Sequence, residues 1–150
     1  MSMFNYIESD AALLDSCEYL SSLNQKNDVS MSTYYKKELK REAWFKKKRK
    51  YEKAYNTHVS LVTLKNNKEP VAYCITCLYD RGRRGVVEEI YVVEEYRDRG
   101  IGGKLMQQAL LWLEDQVDLQ EIYVVYDNMK AVQFCSKFDF YPIYYQLQRK

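Results

Sequence analysis

The chain has 150 residues, the size of one domain, and is long enough to bury a full core without disulfides or a structural metal. It is 47% hydrophobic and 29% charged, which excludes a disordered or fibrous chain, and no apolar run approaches the roughly 18 residues of a membrane span. A net charge of +2 gives no reason to expect nucleic acid, and the start lacks a basic region followed by an apolar stretch, so a cytoplasmic chain is expected.

In chain order, residues 3–7 read as a short strand. Ser9 or Asp10 caps a helix to about residue 24, with Leu13, Cys17 and Leu20 on one face, and Asn27 to Ser30 reads as a loop. Ser32 then caps a long helix to about Tyr55. Its apolar stripe is Tyr34, Trp44 with Phe45, Tyr51 and Tyr55. Between Tyr34 and Tyr55 the local charge is +7, leaving −5 for the rest of the chain. Such a run forms either a solvated face or one that attracts an anion.

The period then changes. Val59 to Leu64 alternates, Lys65 to Lys68 turns, and Val71 to Tyr79 is a second strand. A basic loop, Asp80 to Gly85, leads into a third strand, Val86 to Val93. A helix from about Ile101 to Val117 carries two apolar rows, Ile101, Leu105, Ala109, Trp112 and Met106, Leu110, Leu113, Val117, a stripe wide enough to lie on a sheet. Ile122 to Tyr126 is a short strand, Lys130 to Phe138 a helix and Phe140 to Gln148 a last strand. The fold class is mixed α/β, with antiparallel hairpins and one parallel pair across a right-handed crossover.

Four cysteines are present: Cys17, Cys74, Cys77 and Cys135. Cys74-Ile-Thr-Cys77 is a CxxC, but the only histidine is His58, so no zinc set is complete and no metal is expected. The pair lies in a strand, where positions three apart face opposite sides, so the two sulfurs should diverge and pack.

Three of the five glycines stand at 100, 102 and 103, between a strand and a helix. Free N–H groups and the helix dipole make that junction an anion site, and glycine lets a phosphate approach the backbone. A P-loop would need Ser or Thr after Gly103-Lys104, where Leu105 stands, and a dinucleotide fingerprint would need a third glycine at the same Leu105. What remains is Arg97-x-x-Gly100-x-Gly102.

The run Val92-Val93-Glu94-Glu95-Tyr96-Arg97-Asp98-Arg99-Gly100-Ile101-Gly102-Gly103-Lys104-Leu105 resembles the acetyl-CoA motif of the GNAT superfamily of acyl-CoA-dependent N-acetyltransferases. Asn128-x-x-Ala131-x-x-Phe134-Cys135-x-x-Phe138-Asp139-Phe140 is similar to that family's second motif. The resemblance covers residues 58–150, an acetyl-CoA-binding core, and leaves 1–57 as the variable acceptor-side region of a single domain. It implies a central, mostly antiparallel sheet with one splayed parallel pair, flanked by helices. It also implies that the loop Arg97, Asp98, Arg99, Gly100, Ile101, Gly102, Gly103 and Lys104 holds the pyrophosphate of acetyl-CoA. The strand Tyr91, Val92, Val93 would pair with the pantetheine arm, which Asn128 would also hydrogen-bond. No metal takes part.

Acetyl transfer to an amine needs a base, because the amine is protonated at neutral pH. Glu88 and Glu89 are two carboxylates in an otherwise apolar strand. Alternation allows only one of them to face the acetyl group. Glu88, sharing a face with Ile90 and Val92, is favoured over Glu89, matching the first carboxylate of the pair in polyamine-type members. A salt bridge or a solvated edge would serve as well for either. The departing thiolate needs a proton. Where the family often has Tyr, this chain has Cys135, and Asp139 replaces a Gly. Cys135, Tyr126, Tyr144 or a water could act as the acid, or Cys135 could simply pack and be inessential. Tyr34, Tyr35, Tyr51 and Tyr55 either line an acceptor pocket or form the underside of a helix. The expected function is acetyl transfer from acetyl-CoA to a primary amine, a small molecule first. The alternatives are a protein lysine or N-terminal acetyltransferase and a non-catalytic acyl-CoA sensor. An open last sheet edge would leave room for a second copy in a homodimer.

Overall fold

Strands Phe4–Ser9 (β1), Asn56–Leu64 (β2), Pro70–Tyr79 (β3), Arg84–Val92 (β4) and Leu119–Ile122 (β5) form one sheet in chain order. The computed structural model describes residues 2–31, 43–147 and 149. β1 to β4 pair antiparallel, and β5 joins β4 in parallel after a helical crossover. β2 and β3 are buried along nearly their whole length, as strands covered on both faces must be. The mixed α/β class and the single parallel pair follow the sequence expectation.

The covering elements differ between faces. On one lies the helix Ile101–Leu113, here called α3, whose Ile101, Leu105, Met106, Ala109 and Leu113 meet Val62, Leu64, Val71, Ala72, Cys74, Leu78 and Val87. Met129–Ser136 (α4) packs Phe134 on the same cluster. On the other face a 3-10 turn, Ala11–Cys17, runs into Glu18–Met31 (α1), and Trp44–Lys53 (α2) lies beside it. Leu14, Cys17, Leu20 and Tyr51 there meet Val59, Leu61, Tyr73, Ile75 and Cys77. Cys74 and Cys77 thus lie in opposite cores, as their spacing demands, and both are free thiols. Burial pushes each thiol up to about 12, so neither is a nucleophile at neutral pH.

Asp10 caps the first turn by accepting from Ala12 N–H at 2.9 Å. The expected loop at Asn27–Ser30 is instead the end of α1. Ser30 turns its hydroxyl back onto the Asn27 carbonyl at 2.6 Å, and the half-buried Asn27–Val29 continue the helix against the weak helix preference of Asn, Asp and Ser. The start of the expected helix at Ser32, with Tyr34 and Tyr35, lies outside the described residues. α3 stops at Leu113 rather than Val117, because Glu114 leaves the helix (ψ 134°) and Asp115 is left-handed (φ 65°). The short strand sits at Leu119–Ile122, not Ile122–Tyr126. No strand forms over 140–147: Pro142 has no N–H for a ladder, and Ile143, Tyr144, Tyr145 and Leu147 have no sheet face to bury against. No helix among the described residues is long and apolar enough to cross a membrane.

Candidate active site

β4 and β5 pair only from Arg84–Leu119 to Val87–Ile122. Past that point β4 runs on to Val92 paired, among the described residues, with β3 alone, so its other edge is open there from Glu88 to Val92. The cause is local. The β3–β4 register shifts at this point, with Ile75 opposite Glu89 and Thr76 opposite Val87, and Glu88 is the extra residue. A bulge of this kind bends and twists its strand, and the straight β5 cannot follow. The result is a fork whose crotch is at Glu88 and whose open arm carries Tyr91 and Val92, with Val93 just beyond.

The open arm leads into the glycine loop. A single 3-10 turn, Glu94–Tyr96, follows Val93. Arg97 then folds back, its Nε donating to the Val92 carbonyl at 2.8 Å and its guanidinium lying 5.3 Å from the Tyr91 ring. Asp98 and Gly100 are both left-handed, with φ of 63° and 82°. Gly100 is the N-cap of α3 and no side chain caps the helix, so the first amides, Ile101, Gly102 and Gly103, point outward without a side-chain acceptor. A Cβ at Gly100 would meet nothing within 4 Å, and one at Gly102 or Gly103 would make only ordinary contacts with Phe134 or Phe138. Protein packing therefore does not explain glycine at 102 or 103. The open space beside Gly100 adjoins these amides. Arg99 beside the Tyr96 ring (5.4 Å) and Lys104 over the Tyr6 ring (3.8 Å) put two cations at its rim. An anion such as a pyrophosphate suits this donor set.

The bulge has a second consequence. It resets the alternation, so both acidic side chains face α1 and α2. Ile90 and Val92 go to the α3 side. The expected grouping of Glu88 with Ile90 and Val92, and the exclusion of one carboxylate, are both corrected. Glu89 is buried. It accepts from Ser21 Oγ at 2.6 Å, Tyr51 Oη at 2.5 Å and Tyr73 Oη at 2.5 Å, with Lys47 Nζ 3.7 Å away. Burial first, then the Glu89 charge, push the Tyr51 and Tyr73 phenols far above their ordinary value, so both remain donors. Asp28 of α1 stands nearby. Burial and the Glu89 charge raise it to about 6, with Lys47 opposing. Glu88 has fewer bonds: it accepts from Tyr79 Oη and lies 3.3 Å from Lys50 Nζ. The Tyr79 phenol is raised by burial first and by that hydrogen bond next.

Glu89, fully engaged by hydroxyls, is a structural anchor in this conformation. Glu88, at the crotch of the fork and equally buried, has two partners, Tyr79 and the exposed Lys50. Sequence reasoning missed Tyr73, Tyr79 and Ser21, and took Lys47 and Lys50 only as part of a basic run on a solvated or anion-attracting face. Tyr51 was expected either in an acceptor pocket or on the underside of a helix, not as a hydrogen-bond donor to a carboxylate. The available signal was that Tyr73 and Tyr79 occupy positions in β3 where an aliphatic strand needs no hydroxyl.

The remaining expected residues lie elsewhere. Asn128 Oδ1 accepts from Ala131 N–H at 3.1 Å as the cap of α4, which fixes the side chain and leaves its NH2 as the donor that could meet a ligand. Cys135 is 5% exposed and its thiol is raised by burial. It sits on α4, which packs on the α3 face, whereas the two carboxylates face α1 and α2. Tyr126 and Tyr144 are largely exposed, and Tyr126 stands against Tyr145 at 5.9 Å. Tyr55, the other expected pocket tyrosine, covers Gly82 instead. A shallow depression lined by Asp10, Glu52, Tyr55 and Asn56, among others, opens at the start of β2 and touches neither carboxylate nor the glycine loop.

Known proteins share this fold. An uncharacterized N-acetyltransferase of Archaeoglobus fulgidus is 35% identical over 63 residues, spanning 41% of this chain and 43% of that protein. The match therefore covers less than half the length of that relative. A Pyrococcus furiosus protein, provisionally described as an acetyl transferase, superposes with a TM-score of 0.72 at 16% identity, over 97% of this chain and 99% of its own. The aminoglycoside N-acetyltransferase AAC(6′)-Iy in complex with CoA superposes with a TM-score of 0.69 at 11% identity, over 100% and 95%. At such identities these two show a shared fold. The profile of the acetyltransferase (GNAT) family matches residues 23–140, so the chain belongs to that family.

Proposed function

We propose that the chain transfers acetyl from acetyl-CoA to a primary amine, with a small molecule as the first acceptor class. The observation that carries this reading is the bulge at Glu88. One irregularity opens the fork, sets a carboxylate at its crotch and aims the open arm at the uncapped amides of Ile101–Gly103. Those amides, with Arg99 and Lys104, hold the pyrophosphate. The free backbone edge from Glu88 to Val92 holds the pantetheine arm, with the NH2 of Asn128 a second contact. Acetyl-CoA brings the activated acyl group. The protein's share is to orient it, to take a proton from the incoming ammonium at Glu88, and to offer a strand N–H to the oxygen on which charge develops. Residues 1–57 then form the acceptor side, since α1 and α2 cover the face on which Glu88 lies. Tyr51 and the lysines of α2 belong to that side.

Cys135 is not assigned a step. It is buried, protonated and on the other face, so the thiolate is reprotonated by water or a tyrosine at the fork, and Cys135→Ala keeps kcat within about tenfold. The neighbour AAC(6′)-Iy has also been solved with a CoA–aminoglycoside bisubstrate analogue. Aminoglycosides therefore join polyamines, amino acids and peptides in the acceptor panel. The test is thermal shift with acetyl-CoA followed by CoA release with each amine. A ligand at a hundred times its Kd should add about 2.7 kcal/mol. Binding with turnover on some amine supports the proposal; binding with none on any class would leave an acyl-CoA sensor.

A further inference from the structure

Five cationic residues stand in a row on α2, and the structure sorts them. Lys46 and Arg49 are exposed. Lys48 pairs with Asp15 at 2.7 Å. Lys47 is pinned, with its Nζ donating to Ser21 Oγ at 2.7 Å and its side chain only 12% exposed. Lys50 differs. Its Nζ is 3.3 Å from Glu88 Oε2 and 5.9 Å from the Tyr79 ring, while its side chain is 55% exposed and free to swing. The chain's own primary amine therefore rests on the carboxylate that deprotonates acceptors. It is tethered at the crotch of the fork, where a small acceptor would have to be collected from solution.

We propose that Lys50 is a self-acceptor: the protein acetylates its own Lys50 Nζ in cis from acetyl-CoA. This inference rests on the reading of Glu88 as base. The ammonium gives one proton to Glu88, and its lone pair forms the N–C bond to the acyl carbon. The C–S bond breaks, and the thiolate leaves with its electron pair to be protonated as CoA. The sum is one acetyl-CoA and one ammonium giving one amide, CoA and one proton. The amide carries no charge, so the reaction also removes the cation that covers Glu88. Tethering replaces a bimolecular encounter with an intramolecular one, which is worth orders of magnitude when the atoms are held close.

The full chain is incubated with deuterated acetyl-CoA and cleaved after glutamate. Cutting at Glu42 and Glu52 releases one peptide that holds Lys46, Lys47, Lys48 and Lys50 together. Tandem mass spectrometry then times each lysine. The expected result is labelling at Lys50 at least about tenfold faster than at exposed Lys46, the advantage of a tethered nucleophile. The rate should not change on dilution of the protein, and Glu88→Gln should bring Lys50 down to the Lys46 rate. A Lys50 rate equal to Lys46, or one that falls with dilution, overturns self-acetylation. If the same preparation binds acetyl-CoA and acetylates a free amine, only this inference fails. If it does neither, the proposed function fails with it. A Lys50→Arg protein that still binds acetyl-CoA and shows no fast site confirms the position.

Discussion

On the α3 face, Val62, Leu64, Val71 and Ala72 meet Leu105, Met106, Ala109 and Leu113, and no carboxylate is buried among the described residues. On the opposite face, β3 and β4 deliver Tyr73, Tyr79, Glu88 and Glu89 to helices that answer with Ser21, Tyr51, Lys47 and Lys50. The first face is held by removal of apolar area from water, about 25 cal/mol per Å². The second contains a buried charge, which costs several kcal/mol unless hydrogen bonds surround it. A domain that needed only stability would build both faces like the first. The contrast is why the proposed chemistry is placed on the second face, where Glu88 and Glu89 are buried side by side.

The sharpest way to break the contrast is Glu88→Gln, which keeps shape and removes the base. We expect kcat to fall about 10²- to 10⁴-fold, the usual contribution of a positioned base, with acetyl-CoA affinity unchanged. Steady-state kinetics beside thermal shift checks both halves. An unaffected kcat would move the proton transfer to water or to Glu89.

Next in size is Tyr73→Phe. It removes one of three hydroxyls from Glu89 and leaves a buried charge short of a donor, at a cost of about 1–3 kcal/mol in unfolding free energy. Urea unfolding measures it. No loss would mean that Glu89 is not held as a charge by its hydroxyls, and the two faces would be more alike than the geometry says.

Much of the α3 face was legible in the sequence. The rows through Ile101, Leu105, Ala109 and Met106, Leu110, Leu113 follow the 3.6-residue period, and the glycines at 100, 102 and 103 place the helix start at Ile101. The facing of Cys74 and Cys77 followed from the period of two. The acid pair was legible as chemistry and misread as geometry. Alternation separates consecutive residues by default, and nothing in Val-Glu-Glu-Ile announces that Glu88 is the unpaired residue of a bulge. A bulge is settled by the partner strand, β3, and so lies outside the local pattern. The same holds for Asn27–Ser30, which continue the helix against their local preference for a loop, and for residues 140–147, whose alternation finds no sheet edge.

Gly102→Ala separates ligand binding from folding. A Cβ there would stand 3.4 Å from Phe134, an ordinary contact, and alanine favours a helix over glycine by about 1 kcal/mol. The ligand-free protein should therefore unfold at an equal or higher temperature. Acetyl-CoA affinity should fall about tenfold, because the proposed pyrophosphate site needs the close backbone approach that glycine gives. Calorimetry on both states checks this. Unchanged affinity would mean that the pyrophosphate does not rest on this turn.

The smallest effect tests whether the α1–α2 face carries more negative charge than its donors neutralise. Asp28 rises from 3.8 to about 6 because burial and the Glu89 charge both disfavour its ionised form. Between those pH values the folded chain holds a proton that the unfolded chain has lost, so stability falls as pH rises from about 4 to 6, and the deficit persists above. Asp28→Asn removes that term. Discounted for partial exposure, the variant should be more stable than the parent by about 1 kcal/mol at pH 7.5, the two converging near pH 4. Unfolding curves at both pH values decide the matter. A variant less stable at pH 7.5 would show that Lys47 already outweighs Glu89 at this position, and that the face stores no excess charge.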